Sequence, residues 1–113
     1  MATEFFITSR NNPRKFSDVS FKDAATQYSF DLTQWSEENG DITSATWEVV
    51  DGQCTVSGAS ETSNVCTALV SFGEPGGNLI KVVATTGSEI YVAYLDVLVC
   101  DPTTANSDYG STI

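Results

Sequence analysis

Apolar and polar residues alternate with a period of two along most of this chain, the spacing of half-buried β-strands. The clearest case is residues 28 to 50. Tyr28, Phe30 and Leu32 share one face of an extended segment over 28–34, and Ala45, Trp47 and Val49 share one face of the next. Between them Ser36-Glu-Glu-Asn-Gly-Asp41 predicts a polar bend, because Asn39-Gly40 tolerates the positive φ that a reversal needs. Trp47 is expected to anchor the core, and Trp35 to plug one end of it with its indole N–H seeking an acceptor.

The rest of the chain continues the pattern. Phe5-Phe6-Ile7 is a short apolar run before the Asn11-Asn12-Pro13 break, suited to pairing with an edge of its own domain or with a neighbouring subunit. Residues 15–22 predict an edge strand, with Val19 and Phe21 on the face opposite Phe16 and Asp18. Asp51-Gly52 is a strong turn signal. Cys54–Ser57 predicts a short strand, 58–64 a polar loop, and Val65–Phe72 a longer strand. Gly73-Glu-Pro-Gly-Gly77 predicts a wide turn. Leu79–Thr85 alternates around an outward Lys81 and buries Ile80, Val82 and Ala84. Thr86-Gly87-Ser88 predicts a hairpin turn, and 89–100 the most apolar strand. There Asp96 sets the register, since a slip of one residue would bury its carboxylate. Ala93, Leu95, Val97 and Val99 therefore face inward, while Tyr94 and Leu98 form an outward patch that wants a cover. Seven strands with turn signals every 8–12 residues favour an all-β Greek-key sandwich. It spans 15–100, between an N-terminal arm, 1–14, and a polar tail, 101–113.

Composition adds constraints. The 113 residues fit one domain with one core, and 41% hydrophobic residues exclude a fully disordered chain. The net charge of −10 is uneven. Over residues 1–22 four cations against two acids leave +2; over 23–113 Lys81 against thirteen acids leaves −12. A mildly basic arm thus precedes an acidic body that repels phosphate backbones, so nucleic acid is not an expected partner. The arm is suited to an acidic surface, such as a neighbouring copy. Met-Ala-Thr-Glu-Phe-Phe-Ile does not read as a signal peptide and no apolar run approaches membrane-spanning length, so a soluble, cytoplasmically made protein without a membrane partner is expected. Three cysteines, Cys54, Cys66 and Cys100, fit reduced thiols in a reducing compartment, although a Cys54–Cys66 bridge stays open.

Candidate chemistry is sparse. The chain contains no histidine, which removes His-based triads and imidazole metal sites. No Gly-x-Ser-x-Gly element or phosphate-binding Gly-rich loop occurs. Glu37, Glu38 and Asp41 cluster without EF-hand spacing and are expected to be a solvated loop. No enzyme activity and no cofactor are expected.

The run Phe30-Asp31-Leu32, Trp35, Gly40-Asp41-Ile42 and Ser44-Ala45-Thr46-Trp47-Glu48-Val49, followed by Gly76-Gly77 and the stretch at 82–87, resembles small immunoglobulin-like virion proteins of tailed bacteriophages. These are of the fiber-tail adaptor or head–tail region type, and the resemblance covers about residues 28–99. It departs from the family at Gly73-Glu74-Pro75 and in its cysteines, none of which flanks the tryptophan strand as in antibody domains. The resemblance implies a seven-stranded immunoglobulin-like sandwich without catalysis. It implies a virion part assembled in the host cytoplasm in many copies, which fastens connector, tail or capsid subunits and further copies of itself. The attachment residues would then be Phe5, Phe6 and Ile7 as apolar anchors, Arg10, Arg14 and Lys15 as charge partners, the Tyr94 and Leu98 patch, and Tyr109 of the tail. A capsid decoration protein of the same fold and a carbohydrate-binding or adhesive sandwich are the competing expectations.

Overall fold

A computed structural model describes residues 2–7 and 14–101. They form an all-β sandwich of two four-stranded sheets with one short helix. In chain order the elements are β1 (Ala2–Phe6), β2 (Lys15–Phe21), β3 (Ala25–Asp31), α1 (Thr33–Asn39), β4 (Ser44–Asp51), β5 (Thr55–Thr62), β6 (Val65–Ser71), β7 (Gly76–Thr85) and β8 (Ile90–Cys100). Sheet A has the order β1-β3-β6-β5, and sheet B the order β2-β8-β7-β4. This Greek-key order is that of an immunoglobulin-type sandwich. The strand count is eight rather than the expected seven.

The extra strand is β1. It pairs parallel to β3, Ala2 opposite Gln27 and Phe6 opposite Asp31, so half of the expected arm belongs to sheet A. Its alternation explains this placement. Phe5 turns inward onto Phe16 and Phe30, with ring centroids 5.0 and 5.1 Å apart, and Ile7 is 1% exposed. β2 runs parallel to β8, and the tight connection 22–24 leads into β3, Lys22 N donating to the carbonyl of Cys100 and Asp23 N to that of Phe72. β1 thus begins, and β8 ends, at the same end of the sandwich.

Inward residues match the alternation read from the sequence. Tyr28, Phe30, Leu32, Ile80, Val82, Ala84, Ala93, Leu95, Val97 and Val99 are all buried. Trp47 is the exception in degree. Its strand β4 is an edge of sheet B, so the indole is half-buried, packed on Phe30 at 5.6 Å, and does not stand at the centre of the core. Trp35 does close one end. It lies on α1, is 2% exposed, and packs on Tyr91 at 5.7 Å.

Three expected boundaries are corrected. Residues 33–39 are helical: the Asp31 carboxylate accepts from Thr33 N at 3.0 Å, and Gly40, at φ 101°, ends the helix. Residues 58–62 belong to β5, which bulges between Ser57 and Ser60 and turns into β6 through Ser63 and Asn64, both at positive φ. Gly76 and Gly77 belong to β7, opposite Val99 and Leu98. All three cysteines are free and buried. Cys54 precedes Thr55, whose partner is Ser71, and this places it about six residues, roughly 20 Å, along β6 from Cys66, beyond disulfide reach.

Candidate interaction face

The outward residues of sheet B form rows fixed by register. Lys15 lies opposite Tyr94, and Tyr94 opposite Lys81, which faces Glu48. The next row is Ser17, Asp96, Leu79 and Asp51, and the row after it Val19, Leu98 and Gly77. Val19 is 56% and Leu98 52% exposed, so two large apolar side chains stand side by side in water. Gly77 presents no side chain beside Leu98, and a Cβ there would meet nothing within 4 Å. The face is accordingly dimpled. One hollow of about 330 Å³ is bordered by Lys15, Asp51, Gly77, Asn78, Leu79 and Asp96, and an adjoining one of about 200 Å³ by Lys15, Leu79 and Tyr94.

The described cations gather on and around this sheet, whose outer face also carries Glu48, Asp51 and Asp96. The cations among the described residues are Arg14, Lys15, Lys22 and Lys81, all on β2, directly beside its ends, or on β7. Lys15 pairs with Asp96 at 3.7 Å, an exposed contact of little energetic weight that leaves its ammonium available. Arg14 is committed elsewhere. Its guanidinium lies 4.7 Å above the Tyr91 ring and donates to the carbonyl of Val92 at 3.3 Å.

The sequence-predicted attachment residues therefore divide. Lys15, Tyr94 and Leu98 share the outer face of sheet B. Phe5 and Ile7 point into the core and offer a partner nothing, whereas Phe6 is 61% exposed on the outer face of sheet A. Phe6 stands beside a hollow of about 410 Å³ that Ile7, Asp31, Thr33, Gln34 and Glu37 also border. Arg10 and Tyr109 lie outside the described residues. The sequence reading missed Val19 and Leu79 as surface contributors. Alternation separates the two faces of a strand, but it does not say which face of an edge strand meets the core.

Buried titratable groups serve the fold. The Tyr28 hydroxyl donates to the Asp18 carboxylate at 2.7 Å, joining β3 of sheet A to β2 of sheet B. Burial, then the bond to Asp18, pushes the Tyr28 phenol well above its ordinary range. Burial also raises Cys66 to about 11, Tyr91 to about 12, and Cys54 above the usual thiol value. Such thiols are poor nucleophiles. Among the described residues no group of three or more His, Cys, Asp or Glu side chains could hold a metal ion, and no helix is long and apolar enough to cross a membrane.

Fold and face together define an immunoglobulin-type β-sandwich with one outer face of mixed charge that exposes Val19 and Leu98. No family model and no curated protein matches the chain. Among solved structures it is similar to a cysteine protease inhibitor from Entamoeba histolytica, at 7% identity and a TM-score of 0.50, over 87% of this chain and 96% of that one. It is also similar to part of an endo-fucoidan hydrolase of glycoside hydrolase family 107, at 13% identity and a TM-score of 0.51, over 78% of this chain but 13% of the hydrolase. At such identities the likeness is one of fold alone.

Proposed function

We propose that this chain is a non-enzymatic structural part of a tailed-bacteriophage virion, an adaptor that fastens components in the head–tail connector or tail-fiber region. One observation carries the adhesive role: on the outer face of sheet B, Val19 and Leu98 stand exposed side by side, next to the row of Asp96, Leu79 and Asp51. A face of this kind suits a protein surface that offers apolar side chains within a polar rim. The bacteriophage context rests on the sequence resemblance over residues 28–99. Attachment moves from the N-terminal segment to the sheet, because Phe5 and Ile7 are spent on the core.

The carbohydrate-binding alternative needs an exposed aromatic platform, and Trp35, the residue best suited to it by sequence, is buried. The test is to purify particles from the producing host by density gradient, quantify the chain by mass spectrometry and locate it by electron microscopy. A fixed small copy number at the connector or tail is expected. A copy number matching the capsid lattice would make it a decoration protein, and its absence from particles would overturn the virion role.

A further inference from the structure

We infer that the chain's own segment 102–113 folds back across the outer face of sheet B, with the Tyr109 ring seated over Gly77 against Leu98. The inference deepens the adaptor reading, on which it rests for the partner that displaces the segment, and it makes this face a surface covered until that partner arrives.

Position selects this occupant. The apolar ground is Val19 and Leu98, with Phe21, 47% exposed, two residues beyond Val19, where β2 and β8 both end. β8 leaves the sheet just past Leu98, so Asp101 lies about 10 Å along the chain from that leucine. Eight further residues lead to Tyr109, about 26 Å at full extension, enough to reverse and return over Leu98. The chain's remaining segments start elsewhere. Residues 8–13 join Ile7, bonded to Asp31, to Arg14, bonded to Tyr94, at the far end of the sandwich, and Met1 precedes β1 of sheet A.

Shape agrees with position. Gly77 is the cross-strand neighbour of Leu98, and β4 pairs with β7 only from Leu79 onward, so Gly77 stands at a free edge beside an exposed leucine. A Cβ at Gly77 would meet nothing within 4 Å, and an aromatic ring laid over such an edge glycine supplies the side-chain contacts it lacks. The adjoining hollow of about 330 Å³ has Asp51 and Asp96 at its border, carboxylate acceptors for a phenol hydroxyl. Tyr109 and Ile113 are the large apolar residues of the segment. Charge plays no part in the choice, because the face mixes Lys15 and Lys81 with Glu48, Asp51 and Asp96. Tethering does, since it holds the ring near its seat at an effective concentration on the order of millimolar.

The test is solution NMR on the isotopically labelled full chain. Cross-relaxation between the Tyr109 ring and the Leu98 methyls is expected, unchanged on dilution. Backbone amides of 105–111 are expected to exchange about threefold or more slowly than in Leu98→Asp. Tyr109→Ser should abolish the cross-relaxation and increase binding of the dye anilinonaphthalene sulfonate to the bared face. Should Leu98→Asp misfold by circular dichroism, Val19→Asp takes its place. Exchange over 105–111 as fast as in an unstructured peptide overturns the inference. So does protection that Leu98→Asp leaves intact, which puts the segment elsewhere, or cross-relaxation seen only between differently labelled copies, which makes the occupant a second molecule. Docking in a chain absent from particles would keep this contact and remove the adaptor role, and incorporation into particles without docking would do the reverse.

Discussion

Two asparagines hold loops that carry few backbone bonds of their own. Asn78, buried at the head of β7, accepts on Oδ1 from Gln53 N at 3.0 Å and Cys54 N at 3.1 Å. Asn64, at φ 68° in the β5–β6 turn, accepts from Ile42 N at 2.8 Å and donates to Asp41. Asn78→Ala strands two donors and is expected to lower unfolding free energy by about 2 kcal/mol in a urea titration. Gly52 is bound to the same site, for it sits at φ 107° and a Cβ would fall on the Asn78 side chain. Trp47 is half-buried and its Nε1 is a buried donor without an acceptor. Trp47→Ala should therefore cost about 2–3 kcal/mol, short of the 3–5 typical of a fully buried aromatic. Trp47→Phe, which removes the stranded donor, should stay within about 1 kcal/mol of wild type. Neither asparagine role was visible in the sequence, because each joins residues more than twenty positions apart through one side chain.

At the scale of elements, alternation located the long strands β3, β4, β7 and β8 and their inward residues. It failed where the pattern was too short or the turn chemistry misleading. The helix α1 has seven residues, too few for a 3.6 period to declare itself, and its legible signal was Gly40 after a polar run ending in Asn39. Gly58 and Gly76-Gly77 suggested loops, yet they lie in strands, Gly58 at the β5 bulge and the other two on β7. The N-terminal run was correctly read as strand-forming, and the structure gives it to the chain's own sheet. Removing residues 1–7 strips the inward Phe5 and Ile7 and bares the edge of β3. We expect that truncation to cost about 3–5 kcal/mol, seen as a large fall in melting temperature. A truncated domain as stable as wild type would show that β1 adds no packing.

For the whole molecule, the surface chemistry was half legible. The imbalance between residues 1–22 and the remainder was plain in the sequence, but its spatial form, strand lysines confined to sheet B and acids on both sheets, depends on β2 and β7 sharing sheet B. Alkaline pH probes the interior. Cys66, buried, holds its proton to about 11 in the folded state, against an ordinary thiol value of 9.0, so the folded state binds more protons between those values. Stability is therefore complete below pH 9 and falls as pH rises toward 11, by roughly 2–3 kcal/mol from this group. Tyr91 and Tyr28, also raised, extend the loss to higher pH. Urea midpoints measured from pH 8 to 11 check the slope, and Cys66→Ala should flatten its lower part.

The shared end at which β1 begins and β8 finishes has a mechanical consequence. Tension applied between residues 2 and 101 does not stretch the sandwich along its strands. It lifts β1 from β3 starting at Ala2 and, under the same force, draws the end of β8 from between β2 and β7 starting at Cys100. Both strand ends thus leave the fold at one pole, where a pull opens strand pairs one bond at a time instead of shearing whole strands past each other.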